Sequence, residues 1–147
     1  NEWANWFRYE GGAADDLWST DLKGGFRRLT TGKGIETTPV WCGKDVYYVS
    51  EAGGSLNLWR LNPESGATAP ITKNVANPVR YPGSDGKRVV FENGGYVYAF
   101  DPKAGKAEKV SIRIAEDRVG ARAALTDVSK SVTAFEVSHD GKRGPFA

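Results

Sequence analysis

The chain has 147 residues, of which 39% are hydrophobic and 12% aromatic, a composition that excludes a disordered or membrane-spanning protein. Lys and Arg number 20 against 18 Asp and Glu, and no basic stripe gathers them, which argues against nucleic acid as a partner. The single Cys42 excludes an intrachain disulfide and leaves the compartment open, with a cytoplasmic location slightly favoured over a periplasmic one.

A strand pattern recurs along the chain with a period of about forty residues. It covers residues 16–22, 57–62 and 96–101, and each copy leads to a second short strand. Aligning Leu17, Leu58 and Val97 gives spacings of 41 and 39 residues (58 − 17 and 97 − 58). That period is the size of one four-stranded propeller blade. The sequence therefore predicts an all-β fold, a β-propeller fragment of about three four-stranded blades.

Further strand patterns lie between these copies and predict the inner half of each blade. Residues 38–41 and 45–50 form one such pair, and residues 77–81 and 88–92 form the next. We align Thr38-Pro39 with Asn77-Pro78 as the start of the inner strand. Glycine-rich joins between the patterns predict tight turns.

The repeat divides the chain into four segments. Residues 1–36 are predicted to form a blade that lacks its innermost strand and has a strand at 2–9. Residues 37–76 and 77–115 are predicted to form the second and third blades. Residues 116–147 are predicted to form a linker and a C-terminal strand at 132–138 that closes a blade, either within the chain or, by a swap, in a second chain. A sequence without Met that begins on an aromatic-rich strand is expected of a fragment or a processed product.

The motifs resemble a known family of propellers. The strands at 16–18 and 57–59 and the Asp-Gly-Lys-Arg hairpins at 85–88 and 140–143 are similar to repeats of TolB and tricorn-protease-like proteins. Their order resembles the last half of the six-bladed propeller of tricorn-type peptidases, with further matching motifs at 8–12, 91–98 and 116–122. The resemblance implies a parent serine peptidase of the tail-specific class, whose catalytic residues lie in other domains and whose propellers filter and channel peptides.

The residues themselves offer no catalytic set. A hydrolytic triad needs a base beside a nucleophile, and the only histidine, His139, falls in a predicted hairpin turn. Residues 32–34 lack the spacing of a phosphate-binding loop, and the acidic pairs at 15–16 and 116–117 lack the alternating carboxylates of a calcium loop. We therefore expect no enzyme activity, no cofactor and no metal site in this chain.

Binding is the function that remains. We predict that Arg80, Arg118 and Arg122 face a central channel and attract the carboxylates of peptides, because guanidinium groups bind carboxylates in bidentate fashion. Aromatic residues at blade-equivalent positions are predicted to pack between blades. They are Trp18, Trp41, Trp59, Tyr47, Tyr98 and Phe91.

About three blades do not close a ring, because propellers need typically four to eight. We expect two chains to form a six-bladed homodimer in which each C-terminal strand completes the first blade of the other. The predicted function is a non-catalytic module that binds or gates peptides. The alternative is a TolB-like structural module that docks a protein and passes no peptide. A glycosidase is a third reading, which the shortage of histidine and paired acids opposes.

Overall fold

A computed structural model describes residues 8–115, 120, 123–125, 127 and 129–144. The chain divides into two compact units, residues 1–112 and 113–147. All ten regular elements of the described residues are strands, and they lie in the first unit: β1 Trp18–Thr20, β2 Phe26–Arg28, β3 Glu36–Cys42, β4 Asp45–Ser50, β5 Asn57–Leu61, β6 Thr68–Pro70, β7 Val79–Ser84, β8 Val89–Asn93, β9 Tyr96–Asp101 and β10 Lys106–Lys109. Within the described part, no helix has the length and apolarity that a membrane crossing requires.

The strands form antiparallel sheets in simple meander order. β3 to β6 form one four-stranded sheet and β7 to β10 another, while β1 and β2 form a hairpin. The two four-stranded sheets approach each other through β3 and β7, which places these two strands innermost and β6 and β10 at the outer edges. This arrangement confirms the predicted all-β propeller fragment. We call the hairpin and the two sheets the first, second and third blades.

A core lies between the second and third blades. The Tyr47 and Phe100 rings meet across it with centroids 5.7 Å apart, and Phe91 stacks on Tyr98 at 5.5 Å. Its buried members come from both sheets: Cys42, Tyr47, Val49, Leu56, Leu58, Val79, Val89, Phe91 and Phe100. We call this cluster the 2–3 core. Because side chains alternate along a strand, it uses only one face of each sheet.

A smaller core lies on the other face of the second blade. Leu17 from the first blade packs there with Val46, Tyr48 and Leu61, and we call this cluster the 1–2 core. The Leu17 N–H donates to Thr30 Oγ1 at 3.0 Å, which fixes the start of the first hairpin. The second blade is therefore covered on both faces, which explains why residues 46–50 are all buried although they do not alternate in polarity.

The inner strands differ in register from the sequence alignment. Thr37 and Val40 flank a register shift in β3, and Arg80 and Gly83 flank one in β7. Trp41 pairs with Val46 in the second blade as Ser84 pairs with Val89 in the third. Counting back from these pairs makes Thr38-Pro39 equivalent to Tyr81-Pro82. Aligning it with Asn77-Pro78 was wrong by four residues. The cause is not the hairpin, because eight residues separate Thr38 from Val46 and also Tyr81 from Val89. It is the loop between β4 and β5 at 51–56, which is four residues longer than the Gly94-Gly95 turn between β8 and β9.

Two predicted end strands have different outcomes. The strand at 2–9 falls mostly on residues outside the described part. At the other end, the described residues 129–144 contain no extended strand over 132–138; Phe135 takes part only in an isolated bridge. A strand needs a neighbouring ladder to satisfy its backbone groups. The predicted partner of this segment is a blade of a second chain, so the swapped pairing stays a prediction.

Candidate functional site

The inner strands carry a strained bulge at equivalent positions. Thr38 has φ 50° and Tyr81 has φ 51°, and each precedes a proline, Pro39 or Pro82. A positive φ is unfavourable for β-branched and bulky residues, so surrounding structure must impose it. Because it occurs in both four-stranded blades, the bulge is a regular feature of the inner strand.

The bulge changes what the inner edge can bind. The free edge of an innermost strand exposes backbone N–H and C=O groups, which can recruit an extended segment as an added strand. Pro39 and Pro82 have no N–H, and a bulge interrupts the regular spacing of the remaining groups. The edges of β3 and β7 therefore disfavour strand addition and leave recognition to side chains.

Two large aromatic side chains are exposed on these strands. Trp41 on β3 is 59% exposed and Tyr81 on β7 is 75% exposed. The prediction that the recurring aromatics pack between blades holds for Tyr47 and Phe91, which are 1% and 3% exposed. It is wrong for Trp41 and for Trp18, which is also 59% exposed. Trp18 lies on a face of the first blade that has no adjoining blade among the described residues. Trp41 lies on the Val46 face of the second blade, where the described strands of the adjoining first blade are only β1 and β2.

Arg80 lies on β7 directly before the bulge. It pairs across the ladder with Glu92, and its side chain is half-buried. Glu92 alternates with Phe91 of the 2–3 core, so Arg80 lies on the opposite face of the third blade, beside the inner edge. The Glu92 Oε1 accepts a hydrogen bond from the Gly95 N–H at 2.6 Å. The other two predicted binding residues, Arg118 and Arg122, lie outside the described residues.

A basic cleft lies where hairpins of the second and third blades meet. Its volume is about 470 Å³. The Gly43 N–H donates to the Gly86 carbonyl at 2.9 Å and joins the two hairpins there. The charged lining residues are Lys87, Arg88, Lys103 and Asp101. Sequence reasoning missed this cleft because its cations come from separate turns, and only the blade geometry brings those turns together.

The described residues give little support to the other candidate sites, which are a metal site, the acidic pairs and His139. No group of three or more His, Cys, Asp or Glu that could hold a metal occurs in the described residues. Asp16 of the first acidic pair forms an ion pair with Arg28 at 2.6 Å, and the pair at 116–117 lies outside the described part. His139 is exposed in a turn where the Gly141 N–H donates to the Ser138 carbonyl at 2.8 Å.

Comparison with known proteins identifies the blades. The profile of the tricorn protease N-terminal β-propeller domain matches residues 1–106. The chain belongs to this family. It is 31% identical over 115 residues to the tricorn protease homolog of Saccharolobus solfataricus, covering 78% of the chain. It is 28% identical over 144 residues to putative tricorn protease homolog 2 of Streptomyces coelicolor, covering 97% of the chain.

Solved structures agree with this assignment. The chain is similar to the crystal structure of the tricorn protease, with a TM-score of 0.69 and 25% identity over 76% of this chain and 11% of that one. A TolB structure from Agrobacterium tumefaciens shares the fold, with a TM-score of 0.56 over 64% of this chain and 40% of that one. The tricorn-like chain spans only 11% and 12% of the length of the two curated relatives described above.

Proposed function

We propose that the chain is a non-catalytic propeller module of a tricorn-like serine peptidase and that its inner edge binds or gates peptides. The observation that carries the proposal is the pair of proline-containing bulges on β3 and β7. These bulges disfavour backbone pairing with a passing peptide. A channel lined by such edges would let different sequences pass without a strand being added to the blade.

Side chains near the same edge supply weak, sequence-tolerant contacts. Trp41 and Tyr81 offer exposed aromatic faces, and aromatic rings pack against many kinds of side chain. Arg80 offers a guanidinium beside the edge, and guanidinium groups pair with carboxylates, including a peptide C-terminus. This combination favours short, reversible contacts over tight binding.

Peptide titration tests this proposal. Fluorescence anisotropy with labelled acidic peptides should show saturable binding that weakens as salt rises, since exposed charge pairs are screened. Tyr81→Ser and Arg80→Gln should each weaken binding, and Lys103→Gln, on the basic cleft, separates the two sites. Arg118→Gln and Arg122→Gln test the other predicted arginines. A chain that binds no peptide but captures a protein partner would favour the TolB-like docking module instead.

We also propose that a second copy completes the ring. In the second blade, Leu58 faces the 2–3 core and is 0% exposed, whereas its third-blade equivalent Val97 is 37% exposed and Val90 beside it is 42% exposed. In the first blade, Trp18 is equivalent to Trp59, which packs on the 1–2 core, yet Trp18 is 59% exposed. These two faces would complement each other as neighbouring blades do within the chain.

Sedimentation tests the second copy directly. The wild-type chain should be a dimer at micromolar concentration, and Val97→Glu should shift it toward monomer. Val75→Glu is the matched control, because Val75 is 89% exposed and lies in the loop between β6 and β7, away from that face. A stable wild-type monomer would rule out the dimer while leaving the peptide proposal open.

A further inference from the structure

A carboxylate occupies a core position in the second blade. Glu36 begins β3 and is 5% exposed. The strand register makes it the equivalent of Val79, which begins β7, is 0% exposed and packs in the 2–3 core. The fold therefore builds an apolar environment at this place in the repeat. Burying a carboxylate there is unfavourable unless hydrogen bonds or a positive charge compensate.

A second buried carboxylate lies one step along the same ladder. Glu51 follows β4 directly and is 7% exposed. Its N–H donates to the carbonyl of Ile35 at 3.1 Å, and Ile35 precedes Glu36. The two glutamates thus lie at the same end of the second blade. Both are more than nine-tenths buried.

The loop at 31–35 is shaped around these side chains. A Cβ on Gly32 would lie 2.7 Å from Glu36 Oε1, and a Cβ on Gly34, which has φ +88°, would lie 3.5 Å from Glu51 Oε2. The third blade has the reverse arrangement, because Asn77 takes the place of Gly34 and Gly94 takes the place of Glu51. Glycines in the second blade therefore make room for the carboxylates.

Neither carboxylate is fully compensated by the residues that the structure describes. The Oε2 atoms of Glu36 and Glu51 are buried and have no hydrogen-bond partner in the part of the chain that the structure describes. Glu51 Oε1 accepts one hydrogen bond, from the Arg8 N–H at 2.6 Å. Among the described residues, ion pairs join Arg28 to Asp16 and Lys106 to Glu108, and neither involves these glutamates. Buried acceptors without partners require an explanation, and an ion or an ordered water is one that would satisfy them.

We propose that Glu36 and Glu51 bind a hard divalent cation of the calcium type beneath the loop at 31–35. Two carboxylates carry two negative charges, which one divalent cation balances and a single ammonium does not. Calcium takes about six to eight oxygen ligands, so carbonyls of the loop at 31–35 and water would have to supply those that the two carboxylates do not.

The surroundings give the ion a structural role. The loop beside the carboxylates also lines a cleft of about 430 Å³, through Gly32, Lys33 and Gly34; the ion pair of Asp16 and Arg28 lines it as well, and neither glutamate does. Asp15 precedes the first hairpin, and its carbonyl accepts the Glu36 N–H at 2.9 Å. A cation held by Glu36 would therefore stabilise the attachment of the first blade to the second, independently of any peptide.

Calcium titration of the metal-free chain tests the proposal. Calorimetry should show saturable binding, and calcium at about 100 times its dissociation constant should raise the Tm by roughly 10 °C. Magnesium and manganese are titrated in parallel. The absence of saturable binding of all three ions would overturn the proposal.

Matched variants identify the site. Glu36→Gln and Glu51→Gln keep the shape of the side chains and should weaken calcium binding by about tenfold or more, since each removes a charged ligand. Glu36→Val introduces the residue of the third blade, so it should fold without calcium and lose the Tm response. Glu108→Gln, on the exposed outer strand, should respond like the wild type. A full calcium response in Glu36→Val would overturn the assignment of the site.

Discussion

The second and third blades are built from the same repeat, yet they differ in how their faces are covered. Within the described part of the chain, the second blade packs against a neighbour on both sides, and the third blade packs on one side only. Equivalent positions on the corresponding faces are Tyr47 and Val90, Val49 and Glu92, and Leu58 and Val97. The second-blade members are at most 2% exposed, whereas Val90 and Val97 are 42% and 37% exposed. Burial at a repeat position is therefore set by the adjoining blade as well as by the strand pattern.

The largest expected difference between the blades is at Leu58 and Val97. Leu58→Ala should lower the free energy of unfolding by about 2–5 kcal/mol, because it leaves a cavity in the 2–3 core. Val97→Ala, at the exposed equivalent, should cost less than about 1 kcal/mol in the monomer. Urea unfolding measures both. Equal losses at the two positions would contradict the difference in burial.

Tyr48 should make the stability of the chain depend on pH in the alkaline range, whereas its third-blade equivalent, Phe91, does not titrate. Burial raises the pKa of Tyr48 to about 12, and the carboxylate of Glu36 adds to the shift. The unfolded chain loses this proton near pH 10 while the folded chain keeps it, so stability falls as pH rises from about 10 to 12.

The loss attributable to Tyr48 is on the order of 2 kcal/mol at the upper end of that range. Tyr48→Phe should remove this part of the pH dependence, so the stability difference between variant and wild type should change in favour of the variant above pH 10. Urea unfolding from pH 8 to 11.5 measures it. A difference that stays constant across this range would contradict the raised pKa.

Much of the blade architecture could be predicted from the sequence because its signals are local. The spacing of Leu17, Leu58 and Val97 and the glycine turns between strands depend only on residues near them in the chain. The bulges could not be predicted, because tertiary structure imposes the positive φ on Thr38 and Tyr81. The burial of Glu36 and Glu51 could not be predicted either. From the sequence, Glu36 is interpreted as a polar loop residue, and only the strand register, which pairs it with Ser50, places it in the core.

The candidate binding residues show the same limit. The sequence singled out Arg80, and the structure puts it beside the bulge of an inner strand, but exposure of Trp41 and Tyr81 was not foreseen. Aromatic residues in strands usually pack in the core, and only the position of neighbouring blades shows which ones do not.

A smaller effect is expected where the second blade has Val40 and the third has Gly83. Gly83 has an ordinary φ, and an added Cβ would lie 3.5 Å from Val90 Cγ2, a normal contact. Gly83→Ala should stabilise the chain by roughly 0.5–1 kcal/mol, because it restricts the unfolded chain. Gly86→Ala is the control: at φ +83° it should destabilise by about 1–2 kcal/mol. Thermal unfolding distinguishes the two, and destabilisation by both would contradict the reading of Gly83.

The smallest effect concerns the hairpins that join the inner two strands of each blade. The two hairpins have equal length, but they differ in the residue that begins the turn. In the third blade this residue is Asp85, whose Oδ1 accepts hydrogen bonds from the Lys87 and Arg88 N–H groups at 2.8 and 2.7 Å, whereas Cys42 has the equivalent position in the second blade. These bonds, first that from Arg88, lower the pKa of Asp85 below its usual 3.8. The stabilisation is therefore present above pH 3.8 and is lost as pH falls through the lower, folded-state pKa.

Because Asp85 is fully exposed, this contribution to stability is small and is best seen by NMR rather than by unfolding. The carboxyl resonance of Asp85 should titrate below pH 3.8, and the Lys87 and Arg88 amide shifts should move with the same midpoint. Asp85→Asn should abolish that coupled titration while leaving the amides of the Gly43-Lys44 turn unchanged. A midpoint at or above 3.8 would mean that the Asp85 carboxylate does not accept these hydrogen bonds in solution, and the proposed difference between the two hairpins would be lost.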